Sequence, residues 1–190
     1  MKRRPHGLRL IATLVALVLL GTACGSDSSP DTAAPVADPP AEENSFTVVA
    51  YQGEELLGGS EISFDSLLDQ GTPVVLNYWA PQCPPCLVEM PWLQAAYERY
   101  EDSVLLVGID VGPFTGLGTN EQGAELLKDL GITYPAGYAV DDAPLRQLEV
   151  RSMPSTVFFD AAGEVVGRHA GILTEHQIQD WFANLTAEAE

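Results

Sequence analysis

Positive charge is scarce in this chain of 190 residues: nine Lys and Arg stand against 27 Asp and Glu, a formal net charge of −18. Four of the nine, Lys2, Arg3, Arg4 and Arg9, precede Cys24, so the rest of the chain sets five basic residues against 27 acidic ones, a balance of −22. Such a surface repels polyanions, which argues against nucleic acid as a partner and against direct electrostatic binding to anionic lipid. Cysteine is equally sparse, with Cys24, Cys83 and Cys86 as the three copies. A structural zinc site needs four ligands. There is no second cysteine pair, and His169 and His176 lie seven residues apart near the C-terminus, so no metal site is expected. Long apolar runs are missing too. The apolar stretch Leu10–Leu20, broken by Thr13, falls short of the roughly 20 residues a membrane-spanning helix needs.

That stretch follows a basic start and precedes the small residues Gly21-Thr22-Ala23, the three parts of a signal peptide over residues 1–23. Cys24 directly after them resembles the bacterial lipobox, in which that cysteine becomes the lipidated first residue. Gly21 stands where a leucine is usual, with Leu20 one step further away. The resemblance implies a lipid anchor on the extracytoplasmic face of the cell membrane; plain cleavage and secretion is the alternative. Residues 25–44 are small, Pro-rich and acidic without an aromatic, and such a segment acts as a flexible tether. Residues 46–190 then form one domain, long enough for a real core.

Within it, Phe46–Tyr51 is rich in strand formers, and Ser63 is placed to cap a short helix to Leu68. Pro73–Trp79 and Ser103–Asp110 are apolar runs of strand length, as in strands buried on both faces. Pro84 to about Tyr100 is predicted to be helical: its two leading prolines occupy a first turn whose N–H groups lack helical partners, and Pro91 is expected to kink it. A Gly-rich loop, Gly112–Gly118, leads to a helix over about Asn120–Leu130. A weak strand (Tyr134–Val140), a short helix (Ala143–Leu148), a hairpin (Pro154–Phe159 and Val165–His169) and a last helix capped by Thr174 complete the chain. Alternating strands and helices predict an α/β fold with a largely parallel central sheet and an antiparallel edge from the hairpin.

The stretch Trp79-Ala80-Pro81-Gln82-Cys83-Pro84-Pro85-Cys86 carries the chemistry. Two cysteines two residues apart, where a strand turns into a helix, form a redox device. Helix-terminal N–H groups stabilise a thiolate on Cys83, which is expected to be the more exposed thiol, and Cys86 lies one turn on, close enough to form a disulfide. A static disulfide is the bland alternative, although a loop this short would stabilise little. Pro84-Pro85 adds no cation or imidazole beside the thiolate, which points to a reducing or intermediate potential. The two thiols carry this chemistry without a cofactor.

The order of elements, the Trp79-Ala80-x-x-Cys83-x-x-Cys86 motif with Glu89 and Pro91 after it, and Met153-Pro154 before the hairpin together resemble the thioredoxin superfamily. Within it the chain is similar to the membrane-tethered thiol–disulfide oxidoreductases of the TlpA/ResA type, over about residues 46–187. The resemblance implies a thioredoxin fold, a central mixed sheet flanked by helices, with an N-terminal strand extension and an insertion at about 112–145. It implies a Cys83–Cys86 redox disulfide, Cys83 as nucleophile, Cys86 as resolving thiol and Glu89 exchanging protons with Cys86. Met153-Pro154 becomes a cis-proline loop facing the cysteines, and Trp79, Met153 and Pro154 are assigned to substrate binding. Implied partners are protein disulfides, apocytochrome c among them, and a membrane thiol electron donor. Two positions depart from the wider pattern. Asn77 replaces a buried acid, moving proton transfer toward Glu89, and Gln82 replaces an aromatic residue before the first cysteine, leaving partner preference open. Three other activities compete with reduction: thiol oxidation in the same place, a peroxiredoxin-type peroxidase, which wants Thr or Ser where Ala80 stands, and a thioredoxin-fold copper chaperone, which wants a wider cysteine spacing.

Overall fold

The computed structural model describes residues 45–188. Its strands are β1 (Thr47–Gln52), β2 (Glu61–Ser63), β3 (Val74–Trp79), β4 (Leu105–Asp110), β5 (Ala136–Ala139), β6 (Ser155–Phe159) and β7 (Val165–Ala170). Its helices are α1 (Glu54–Leu57), α2 (Phe64–Leu68), α3 (Pro84–Tyr100), α4 (Gly112–Thr115), α5 (Asn120–Asp129), α6 (Ala143–Gln147) and α7 (Glu175–Glu188). The strands make one sheet in the order β2-β1-β5-β4-β3-β6-β7. The expected signal peptide, the expected lipidation site Cys24 and the expected tether lie outside the described residues.

The sheet is mixed, not largely parallel. β3 and β5 run parallel to β4, while β1 pairs antiparallel with both β2 and β5, and β6 pairs antiparallel with both β3 and β7. The difference arises at the N-terminal side. β1 and β2 form an antiparallel pair, and β1 then joins the sheet through β5, a strand of the segment between β4 and α6. That segment, which the resemblance implies to be an insertion, contributes β5 to the sheet. Its Gly-rich start also holds the short helix α4, and α5 opens with a full capping box between Thr119 and Gln122. Ser63 caps α2 as its sequence indicates, accepting from Ser66 N at 3.2 Å.

All six residues of β3 and all six of β4 are buried, because helices cover both faces. Alternation along β3 sends Val74, Leu76 and Tyr78 into one core with α2, and Val75 and Trp79 into another with α3 and α7. In that second core Ile178, Phe182 and Leu185 of α7 are fully packed, and Trp181 stacks on Phe158 with ring centroids 4.1 Å apart. Gly167 makes room for this ring: a side chain there would collide with Trp181. The frame thus anchors α3, and with it both domain cysteines, on the central strand.

Candidate active site

β3 ends at Trp79, and Cys83 is the N-cap of α3 in an extended conformation (φ −101°, ψ 98°). Cys83 carbonyl accepts from Cys86 N at 3.0 Å and Leu87 N at 3.3 Å, while Cys83 N donates to Ala80 O at 3.1 Å. Pro84 and Pro85 fill the first helical positions, where missing N–H groups cost no helical bond. Helical geometry so brings the cysteines together, with Cα atoms 5.3 Å apart and the two sulfurs joined in a disulfide. The expected contrast in exposure is nearly absent: Cys83 is 3% and Cys86 1% exposed, because the oxidised pair packs into the core that holds Trp79, Met90 and Leu93.

Glu89, one turn after Cys86, is wholly buried in α3. Leu173 N donates to its Oε1 at 2.6 Å and Asn77 Nδ2 to its Oε2 at 3.0 Å. Burial pushes its carboxyl up to about 6, opposed by the Leu173 amide and the Asn77 side chain, which favour the charged form. Asn77 also donates to Thr156 Oγ1 at 3.1 Å, across the β3–β6 pair where the two residues face each other. Asn77 Oδ1 has no partner. Rotating the amide would present that acceptor to a protonated Glu89. Asn77 thus supports the buried acid from the neighbouring strand β3.

Met153-Pro154 is a cis peptide. Met153 is half-buried and packs against the cysteine-containing core, while Pro154 is buried and its carbonyl accepts from Gly171 N at 2.8 Å. Trp79, assigned to substrate binding by resemblance, is fully buried. In this state its ring has a packing place against the pair and offers no face to a partner. Gln82, by contrast, is exposed; its amide donates to Leu117 O at 2.8 Å and its side chain to Gln122 Oε1 at 3.2 Å. The segment after β4 therefore borders the loop before Cys83.

A second buried carboxylate escaped the sequence reading. Asp110 ends β4 with no exposure, accepting from Gly112 N at 2.7 Å and from the Tyr51 hydroxyl at 2.8 Å. Burial pushes it, too, up to about 6 against those two hydrogen bonds. Its signal is slight: a single acid closing the apolar run Leu105–Ile109 just before Gly112. Among the described residues no group of three or more His, Cys, Asp or Glu side chains could hold a metal ion.

A mixed sheet with a disulfide-bonded Cys-x-x-Cys pair capping the helix that follows its central strand defines a thioredoxin-fold redox protein. The chain belongs to the thioredoxin-like family, whose domain model matches residues 62–186, and it is a thioredoxin-like oxidoreductase. It is 28% identical over 143 residues to the thiol–disulfide oxidoreductase ResA of Halalkalibacterium halodurans, covering 71% of this chain and 73% of that protein. Among solved structures, StoA from Bacillus subtilis is 24% identical with a TM-score of 0.58, covering 75% of this chain and 98% of that one. The pneumococcal exposed lipoprotein thioredoxin from Streptococcus pneumoniae is 21% identical with a TM-score of 0.61, covering 74% and 99%.

Proposed function

We propose that this oxidoreductase reduces protein disulfides outside the cytoplasm through the Cys83–Cys86 pair, with Glu89 as its proton acceptor. The observation that carries the reading is a fully buried carboxylate one helical turn beyond the second cysteine, its pKa raised to about 6. In the reduced protein the Cys83 thiolate attacks one sulfur of a partner disulfide. A mixed disulfide forms, and the departing partner thiolate takes a proton from solvent. Cys86 then passes its thiol proton to Glu89 and attacks the Cys83 sulfur, releasing the second partner thiolate. Two electrons leave the pair for the partner, and Cys83–Cys86 closes as the disulfide. A dithiol donor at the membrane must return those electrons.

The reducing direction rests on Pro84-Pro85, which places no cation between the cysteines. Lipid anchoring through Cys24 rests on the leader and the tether, and fits the lipoprotein named among the structural neighbours. Apocytochrome c is the substrate implied by the resemblance to the TlpA/ResA type. The test is the reduction potential of the pair, measured by equilibration with glutathione, alongside insulin reduction by the wild type and Cys83→Ser. A potential well above about −180 mV, the disulfide-isomerase range, replaces the reductase with an oxidase. Insulin reduction that survives Cys83→Ser removes the pair from the chemistry altogether. Labelling by radioactive palmitate that disappears in Cys24→Ala would establish the anchor; secretion of unlabelled protein would refute it.

A further inference from the structure

Asp110 has no task in the exchange steps above, yet it is built in with care. Its two oxygens are each satisfied by one donor, Gly112 N from the start of α4 and Tyr51 Oη from β1. A buried carboxylate is retained against a desolvation penalty only where such donors hold it. The space around it is reserved as well. A side chain on Gly123 of α5 would collide with the carboxylate and the Tyr51 hydroxyl. A Cβ on Gly112 would lie 2.7 Å from Pro81 Cδ, and one on Gly118 2.9 Å from Pro81. Three glycines of one segment thus let it close on Asp110 on one side and on Pro81 on the other.

The hydrogen bonds continue the same path. Leu117 N donates back to Gly112 O at 3.1 Å, and Leu117 O accepts from Gln82 N at 2.8 Å. Gln122 Oε1 accepts from Thr119 N at 3.1 Å and from Gln82 Nε2 at 3.2 Å. Val111 N donates to Trp79 O at 3.0 Å, tying the same segment to the residue where the active-site loop begins. From Tyr51 to Gln82, the residue before the nucleophile, the connection is unbroken.

We infer that Asp110 is a positioning residue for the thiol chemistry: clasped by Tyr51 and Gly112, it pins the 112–118 loop against Pro81 and Gln82 and so holds the Cys83 side of the active-site loop. The inference rests on Cys83 as the reacting thiol, as proposed above. Geometry, not charge, does the holding. An asparagine can accept from Gly112 N through Oδ1 and donate to the Tyr51 oxygen through Nδ2, so Asp110→Asn preserves the clasp. Tyr51→Phe keeps the ring and removes one donor; Asp110→Ala removes the clasp.

The test reads two quantities in the full chain. The first is hydrogen exchange of the Gln82 amide, followed by NMR. Tyr51→Phe and Asp110→Ala are expected to speed it about tenfold, and Asp110→Asn less than about threefold, while amides of the β6–β7 ladder hold their protection. The second is the single-turnover rate of reduced Cys83 with dithionitrobenzoate, which should fall in the same order of variants. Unchanged Gln82 protection in Tyr51→Phe overturns the inference, and so does an Asp110→Asn variant as damaged as Asp110→Ala. Should Asp110→Ala fail to fold, Tyr51→Phe against Asp110→Asn still decides. A wild-type protein that shows no thiol exchange at all refutes the reading of Cys83 instead, and the amide measurement stands apart from that outcome.

Discussion

Glu89 and Asp110 are the same chemical group in matching circumstances. Each is fully buried, each accepts two hydrogen bonds, and burial pushes each up to about 6. They differ in address. Glu89 sits on the helix of the cysteines, one turn past Cys86, held by a loop amide and by Asn77. Asp110 sits at the end of a neighbouring strand, held by Tyr51 and by the loop that follows it. A raised pKa therefore does not identify a proton-transfer group. Its place relative to a thiol does.

The sharpest way to break this comparison is to neutralise each acid in turn. Glu89→Gln should slow release of the partner from the mixed disulfide about a hundredfold near neutral pH, the low end of general-base catalysis. Because the charged form accepts the proton, the wild-type rate should climb as pH rises through about 6, and that limb should vanish in the variant. Asp110→Asn should keep both the rate and the limb. Stopped-flow measurement of the second step between pH 5 and 8 decides, and equal losses in the two variants would erase the distinction drawn here.

Stability should treat the two acids alike. Each carboxyl binds its proton more tightly in the fold than in the unfolded chain, so the stabilisation is complete below the ordinary values of 3.8 for Asp110 and 4.5 for Glu89 and is lost as pH rises through about 6. At 1.36 kcal/mol per pH unit this amounts to about 3 kcal/mol for Asp110 and about 2 kcal/mol for Glu89. Urea unfolding at pH 4 and pH 7 should show each amide variant losing its own share of that slope. An unaltered slope in both would mean that neither acid is buried as described.

The smallest effect belongs to Asn77→Ala. It removes one of the two donors that favour charged Glu89, so the Glu89 carboxyl should move above 6 and the rate limb with it, while Asp110 stays where it is. Carbon-13 titration of the two carboxyls measures both at once. A Glu89 value that stays still would show that Asn77 serves Thr156 alone.

The contrast between the acids also marks what could be read without coordinates. The Cys-x-x-Cys pair, the apolar run of β3 and the Ser63 cap are local patterns, and each lies where its pattern indicates. Glu89 stood out because the resemblance places a glutamate three residues after Cys86. Its partner Leu173, 84 positions away, did not, nor did Tyr51, 59 positions from Asp110. Hydrogen bonds of that span belong to the fold and leave no trace in a window of sequence. The direction of β1 was hidden for the same reason, since an extended segment looks alike run either way. α1 and β2, four and three residues long, are too short to build a periodicity.

The near-complete enclosure of the oxidised sulfurs has one more consequence. Thiol–disulfide exchange needs access to a sulfur as well as a favourable potential. With Cys83 and Cys86 showing 3% and 1% of their surfaces, a sulfur is reached only as the loop before Cys83 opens. Exchange is then expected to be fastest with partners whose shape can open that loop.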